Sequence, residues 1–267
     1  DPASRRLMTK TIEFFENKGV KKLKHDDHER VWYADFLEVI KNEKIFATLM
    51  TPAGYGAKDS RWDTYRNCDF SEVTAFYGLC YWYTWQVTML GLGPIWMSKN
   101  EKVKQKTAQL LQEGGIFAFG LSERAHGADL ISSEVTLTPK GDGKYTASGR
   151  KYYIGNGNKA ALVSTFGKIA GSNQYVFFLV SSSHQNYKLI QNVVNSQNYV
   201  SEYELDNYPI TDDDILAVGR EAWDMSLATV ALYSRLLSVI QAKVPPDTIF
   251  SGSRFILVAV KVAISTT

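Results

Sequence analysis

The sequence predicts an α+β chain: an N-terminal helical domain, a middle β-sandwich or barrel-like domain, and the start of a C-terminal helical bundle. Three observations predict it. Apolar residues recur at helical spacing as far as Glu113. From Ile116 short apolar runs alternate with tight, glycine-containing turns. After Gly219 a helical stripe returns. The domain boundaries expected from these changes are 1–115, 116–211 and 212–267.

In the first region Ser4 reads as an N-cap, followed by Leu7, Met8, Ile12 and Phe15 on one helical face. Trp32, Phe36, Val39 and Ile40 make a second stripe, and Thr51 to Gly56 reads as a loop. Val73 to Ser98 contains no charged residue, a length in the range of a membrane span. Thr74, Thr84, Gln86, Thr88 and three tyrosines interrupt it, which favours a helix buried inside a helical domain. That helix is expected over Ser71–Leu90, ended by Gly91-Leu92-Gly93-Pro94. A further helix follows, with Ser98 as N-cap, Val103, Thr107, Leu110 and Leu111 inward, and Gly114-Gly115 as its stop.

The β region opens with Ile116–Leu121. Val135–Thr138 and Lys144–Ser148, joined by Lys140-Gly141-Asp142-Gly143, read as a hairpin. Further strands are expected at Lys151–Ile154, Ala161–Phe166, Tyr175–Val180, Lys188–Val194 and Val200–Leu205. In the last region Trp223, Leu227, Val230, Ala231 and Leu237 are the apolar positions of a helix that Pro245-Pro246 stops. Ile249 to Ile264, rich in β-branched residues, reads as a strand pair or a tail.

Composition narrows the function. A hydrophobic fraction of 45% with 22% charged residues excludes disordered and low-complexity classes. Thirty Lys and Arg against 28 Asp and Glu leave a net charge of +2, with no electrostatic reason to expect nucleic acid or an anionic membrane as partner. Cys68 and Cys80 cannot build a disulfide scaffold or a zinc site, so a reducing, cytoplasmic setting is the default. The charged first 30 residues lack a signal-peptide core. Phosphate-loop, nucleophile-elbow and dinucleotide-fold motifs are missing. His25-Asp26-Asp27-His28 offers metal-ligand side chains, but an acidic cap before a helix accounts for it, and no metal is expected. Asp212-Asp213-Asp214 reads as a turn and cap.

Two segments carry chemistry. In Phe117–Asp129 an apolar strand runs into a polar, glycine-containing turn, where main-chain N–H groups could meet the carbonyl edge of a planar heterocycle or a diphosphate. In Gly149–Gly157 aromatic residues lead into Gly155-Asn156-Gly157, a surface on which a flat ring could stack. Ordinary strand–turn punctuation would also produce either segment alone.

Together the two segments resemble the acyl-CoA dehydrogenase flavoproteins. Ser122-Glu123-Arg124-Ala125-His126-Gly127-Ala128-Asp129 is similar to that family's Thr-Glu-Pro-x-x-Gly-Ser-Asp. Gly149-Arg150-Lys151-Tyr152-Tyr153-Ile154-Gly155-Asn156-Gly157 is similar to its Gly-x-Lys-x-Trp-Ile-Thr-Asn-Gly. Pro52–Gly56, Gly93-Pro94-Ile95, Leu205–Ile210 and Gly219–Ala231 resemble other family segments in the same order, so the likeness covers roughly residues 5–240.

The resemblance implies FAD as cofactor and α,β-dehydrogenation of an acyl-CoA thioester, with hydride passing to the flavin. It places Phe119, Leu121, Ser122, Tyr153, Ile154 and Gly155 along the flavin, with the Ser122 hydroxyl at its polar edge. Gly127 and Ala128 would approach its diphosphate or, for Ala128, the substrate. Tyr153 stands where the family has a packing tryptophan, Gly155 where it has a threonine whose hydroxyl bonds near the flavin's reactive edge, and Ala128 where it has a serine. Each lost hydroxyl removes a hydrogen bond worth about 0.5–1.5 kcal/mol. The family's catalytic base is a Glu of the third domain; no residue here is assigned that role. The implied partners are the acyl-CoA substrate, an electron acceptor such as an electron-transfer flavoprotein, and further copies of the chain in a homo-oligomer. A flavin monooxygenase on the same fold and a non-catalytic acyl-CoA- or protein-binding relative are the competing functions. The third domain is expected to be cut short after one helix, either naturally or because the sequence is closed over missing residues.

Overall fold

The structure, a computed structural model, describes the backbone of residues 1–243 and the side chains of residues 1–231. Helix α1 (Pro2–His28) is capped by Asp1, whose carboxylate accepts from Ser4 N at 2.9 Å. The cap therefore lies three residues before Ser4, and Pro2 suits the first turn, where its missing N–H has no helical partner to lose. Gly19, at φ 73° and ψ 153°, breaks the helix within its length. Short helices α2 (Ala34–Asn42) and α3 (Ile45–Met50) follow. All six residues of α3 are buried, so it shows no amphipathic stripe and periodicity does not mark it.

The uncharged run forms parts of two helices, α4 (Thr64–Tyr77) and α5 (Leu79–Met97), with extended backbone at Gly78 between them. Contrary to expectation, α5 passes through Gly91-Leu92-Gly93-Pro94. These glycines are points of close approach. A Cβ at Gly91 would lie 2.6 Å from the main-chain N and O of Ala118, and one at Gly93 2.9 Å from Thr229 Cγ2. Ser98 closes α5, donating to Ile95 O, and the next helix is capped by Asn100, not Ser98. That helix, α6 (Glu101–Gln112), runs out into Gly114 at φ 86°, the glycine stop expected. Among the described residues no helix is long and apolar enough to cross a membrane.

The strands are β1 (Ile116–Gly120), β2 (Thr136–Gly141), β3 (Lys144–Gly155), β4 (Ala160–Ile169), β5 (Tyr175–Val180), β6 (Tyr187–Asn192), β7 (Val200–Thr211) and β8 (Ile215–Val218). They form one sheet in the order β6-β7-β3-β2-β4-β5-β8, with β1 parallel to β4. The β2–β3 hairpin turns through Asp142 and Gly143, both at positive φ, as a two-residue turn with the twist of the strands requires. Lys151–Ile154 is not a separate strand. It continues β3 past an irregularity at Gly149, where φ is 130°. β7 extends to Thr211, and β8 lies beyond the boundary expected at 211. The acidic triplet forms the expected 3₁₀ turn, with Asp214 accepting from Thr211 N and Oγ1.

The curled sheet is covered on both faces. Leu137, Ala147, Val163, Val176, Tyr203 and Leu205 fill its own interior. Phe117, Leu162, Phe166, Phe177 and Leu179 share a core with α1 to α6. Helix α7 (Arg220–Lys243) buries Ala222, Met225, Ser226 and Thr229, while Leu227 and Ala231 face outward. The inward stripe is thus shifted from the one expected, because small side chains let α7 approach Gly93 of α5. Leu237 and the stretch Ile249–Ile264 lie outside the residues whose side chains are described.

Candidate functional site

The two sequence segments meet at the end of β1. Strand alternation turns Phe119 and Leu121 toward the helices, where the Phe119 ring stacks on Phe177 at 5.9 Å. Ser122 is tied twice to β3: Tyr152 N–H donates to Ser122 O at 3.0 Å, and Ser122 Oγ donates to Tyr152 O at 2.7 Å. The hydroxyl hydrogen expected at a ligand edge is therefore engaged within the protein, leaving its lone pairs free to accept. Among the described residues, neither Leu121 N–H nor Ser122 N–H donates to a backbone carbonyl.

Below this turn lies an ion pair that sequence reasoning did not assign. Lys151 Nζ is buried and donates to Glu123 Oε1 and to Leu121 O, both at 2.8 Å. The Glu123 carboxylate also accepts from Ser133 Oγ and from the Glu134 and Val135 N–H groups. Burial pulls the Lys151 ammonium down to about 8, against the raising effect of Glu123. For Glu123 burial pushes upward, but Lys151 and the hydrogen bonds outweigh it and hold the carboxyl below its ordinary value. The pair locks the strand end to β3. A lysine two residues after Gly149 and an acid after Ser122 were its only trace in the sequence.

Beyond Lys151 the β3–β7 register shifts, and Tyr153 takes φ 66°. A bulky residue in that region costs about 1–3 kcal/mol and persists only where its surroundings over-determine it. The strain turns the Tyr153 ring outward, 52% exposed. The neighbouring Ile154 side chain is buried in the sheet interior, so only its main chain is left to meet a ligand. The fully buried Asn156 fixes the turn. Its amide nitrogen faces Thr84 O and Phe117 O at 3.1 Å and Thr88 Oγ1 at 3.3 Å, and its oxygen accepts from Thr84 Oγ1 at 3.0 Å. Gly155 faces α5, where a Cβ would lie 2.6 Å from the Tyr83 hydroxyl and 2.8 Å from Val87 Cγ2.

Gly127 and Ala128 sit apart from this cluster, in an exposed loop closed by reciprocal bonds between Glu123 and His126. Glu123, His126 and Glu134 bring possible metal ligands within 4.8 Å of one another. The four donors already on Glu123, one of them a cation, oppose its use as a ligand. His25 to His28 lie in the last turn of α1, not ahead of a helix, and Asp26 is buried between Lys18 at 2.8 Å and Lys22 at 2.5 Å.

No protein-family model matches the chain. It is 28% identical over 156 residues to the short-chain-specific acyl-CoA dehydrogenase of Megasphaera elsdenii, an overlap of 58% of this chain and 41% of that protein. The solved butyryl-CoA dehydrogenase of Megasphaera elsdenii matches with a TM-score of 0.78 at 20% identity, over 90% of this chain and 65% of that one. A glutaryl-CoA dehydrogenase of Mycobacterium smegmatis, solved in complex with FADH2, matches with a TM-score of 0.71 at 17% identity, over 88% and 61%. The chain thus resembles the acyl-CoA dehydrogenases in sequence and has their fold, while spanning less than two thirds of the relatives it matches.

Proposed function

We propose that the protein is an FAD-dependent oxidoreductase of the acyl-CoA dehydrogenase type, removing the α and β hydrogens of an acyl-CoA thioester. The observation that carries this reading is the joint between the two motifs. Two adjacent N–H groups at a strand end, without a partner among the described residues, belong to a turn bonded to Tyr152; the next residue, Tyr153, turns its ring outward at positive φ, and a buried ion pair fixes the strand end to β3. A planar heterocycle edged with carbonyl groups satisfies both features. A bound flavin supplies the two-electron acceptor that such an oxidation needs.

The chain's own residues have separable tasks in this reading. Leu121 and Ser122 donate through their main chains. Tyr153 and Phe119 offer apolar contact, and Ile154 and Gly155 form the backbone wall. Gly127 and Ala128, in the exposed loop apart from this cluster, are kept as the positions that the resemblance gives to the diphosphate or the thioester. Glu123 is engaged by Lys151, Glu221 by Lys99 and Asp224 by Arg220, so the proton-abstracting carboxylate is assigned to none of them. An electron-transferring flavoprotein as electron acceptor, a homo-oligomeric assembly and a place in fatty-acid metabolism in the cytoplasm belong to the same proposal.

Anaerobic titration of the FAD-loaded protein with acyl-CoA thioesters of graded chain length tests it. Loss of the visible flavin absorbance with at least one chain length is the expected result. A flavin that no thioester bleaches would remove the dehydrogenase reading.

A further inference from the structure

The Tyr83 hydroxyl stands in the space that a side chain at Gly155 would fill, 2.6 Å from the position of a Cβ there. The Cε1 atom of the same ring and Val87 Cγ2 would each lie 2.8 Å from that Cβ, so Tyr83 and Val87 together keep position 155 a glycine. Among the described residues the hydroxyl of the half-buried Tyr83 has no hydrogen-bond partner, and Gly155, against which it stands, lies two residues after the outward-facing Tyr153. Burial pushes the phenol well above its ordinary value, so it stays protonated and remains a donor. The Tyr83 side chain is half-buried and its hydroxyl is not sealed into the core, so it is open to donate to an acceptor bound beside Gly155. Asn156 ties α5 to the turn through Thr84 and Thr88, one and five residues after Tyr83, which fixes this part of α5 against the turn.

We infer that Tyr83 is a flavin-binding residue, donating its hydroxyl hydrogen to a ring nitrogen or oxygen of the isoalloxazine held against Tyr153. The inference rests on the flavin reading above and adds to it a donor from the helical region, where neither motif lies. The lost side chain at position 155 is then not a gap in the site. Its place is taken from the opposite wall by a longer side chain on another element.

Equilibrium binding of FAD, followed by flavin fluorescence and visible absorption, tests this on wild type and Tyr83→Phe. The expected result is an affinity lowered roughly three- to tenfold, as the loss of one hydrogen bond gives, together with a shifted flavin absorption maximum and an unchanged melting temperature. Equal affinity and an identical spectrum would overturn the inference while leaving the flavin reading intact. A wild-type protein that binds no FAD would remove both. Should Tyr83→Phe lose stability as well, the triple variant Tyr83→Ala, Val87→Ala, Gly155→Thr decides, because it clears both side chains that crowd position 155 and moves the hydroxyl from α5 to β3. Affinity at least threefold above that of Tyr83→Ala, Val87→Ala supports the inference, and no recovery overturns it.

Discussion

A single residue decides whether the strand end is held: Glu123. Its carboxylate collects four donors, and among the described residues Lys151 has no other anion within reach of its ammonium. Glu123→Gln keeps the shape and removes the charge, leaving a buried ammonium uncompensated. Losing one partner of a buried pair costs about 3–5 kcal/mol. Chemical denaturation should show a loss of that order, and a change under 1 kcal/mol would mean that water reaches the pair. The acid limb gives a second readout. Because Glu123 is held below its ordinary value when folded, its stabilisation is complete above the unfolded value and is lost as pH falls through the lower folded one. Stability measured below about pH 4.5 should therefore fall more steeply in wild type than in Glu123→Gln. Ser122 is a milder case. Ser122→Ala removes the bond to Tyr152 O, worth about 1 kcal/mol, and loosens the β1–β3 joint beside Tyr153. FAD retention through gel filtration should drop while the fold persists; unchanged retention would detach Ser122 from the site.

Among the elements, α5 is the one that joins the helices to the sheet, and Asn156 is its clamp. Two of the carbonyls that it satisfies, Thr84 O and Phe117 O, belong to α5 and β1. Asn156→Asp places acceptors against those carbonyls, so it should destabilise by about 3 kcal/mol or more, since buried unsatisfied groups cost ~1–3 kcal/mol each. Urea unfolding near neutral pH checks the size. Acidification should recover part of the loss, because a protonated carboxyl donates one hydrogen bond. This clamp also shows where the sequence stops being legible. Elements with one buried face announced themselves: the Phe36–Ile40 stripe and the 142–143 hairpin stand where their patterns put them, and Tyr175–Val180, buried on both faces, was marked instead by a short apolar run of strand length. α3 and the run through Pro94 did not, because elements buried all round have no period and their glycines look like stops. The site was legible only as two motifs. What joins them, Lys151 to Glu123 and Asn156 to α5, spans 28 to 72 residues, and Tyr83 carries no local signal at all.

At the scale of the whole molecule, the expected boundary between 115 and 116 runs through a shared core. Leu92 and Ile95 of α5, Phe117 of β1, Phe166 of β4, Phe177 of β5 and Met225 of α7 belong to one buried apolar cluster. Separating the helices from the sheet would expose that cluster on both sides. Each fully buried side chain of this kind contributes about 1.5–3 kcal/mol, so the helical region gains much of its stability from the sheet it covers. Such sharing predicts one cooperative unfolding transition, not two. The tryptophans make this measurable. All six, Trp32, Trp62, Trp82, Trp85, Trp96 and Trp223, lie outside the strands, so their fluorescence follows the helices, while far-ultraviolet circular dichroism follows strands as well. The two probes should give coincident urea curves in wild type. In Asn156→Asp the helices should lose their hold on the sheet first, and the fluorescence midpoint should move to lower urea than the dichroism midpoint. Separate transitions in wild type would show that the sheet stands on its own interior, made by residues such as Leu137, Val163 and Tyr203, and that the helices are secured independently of it.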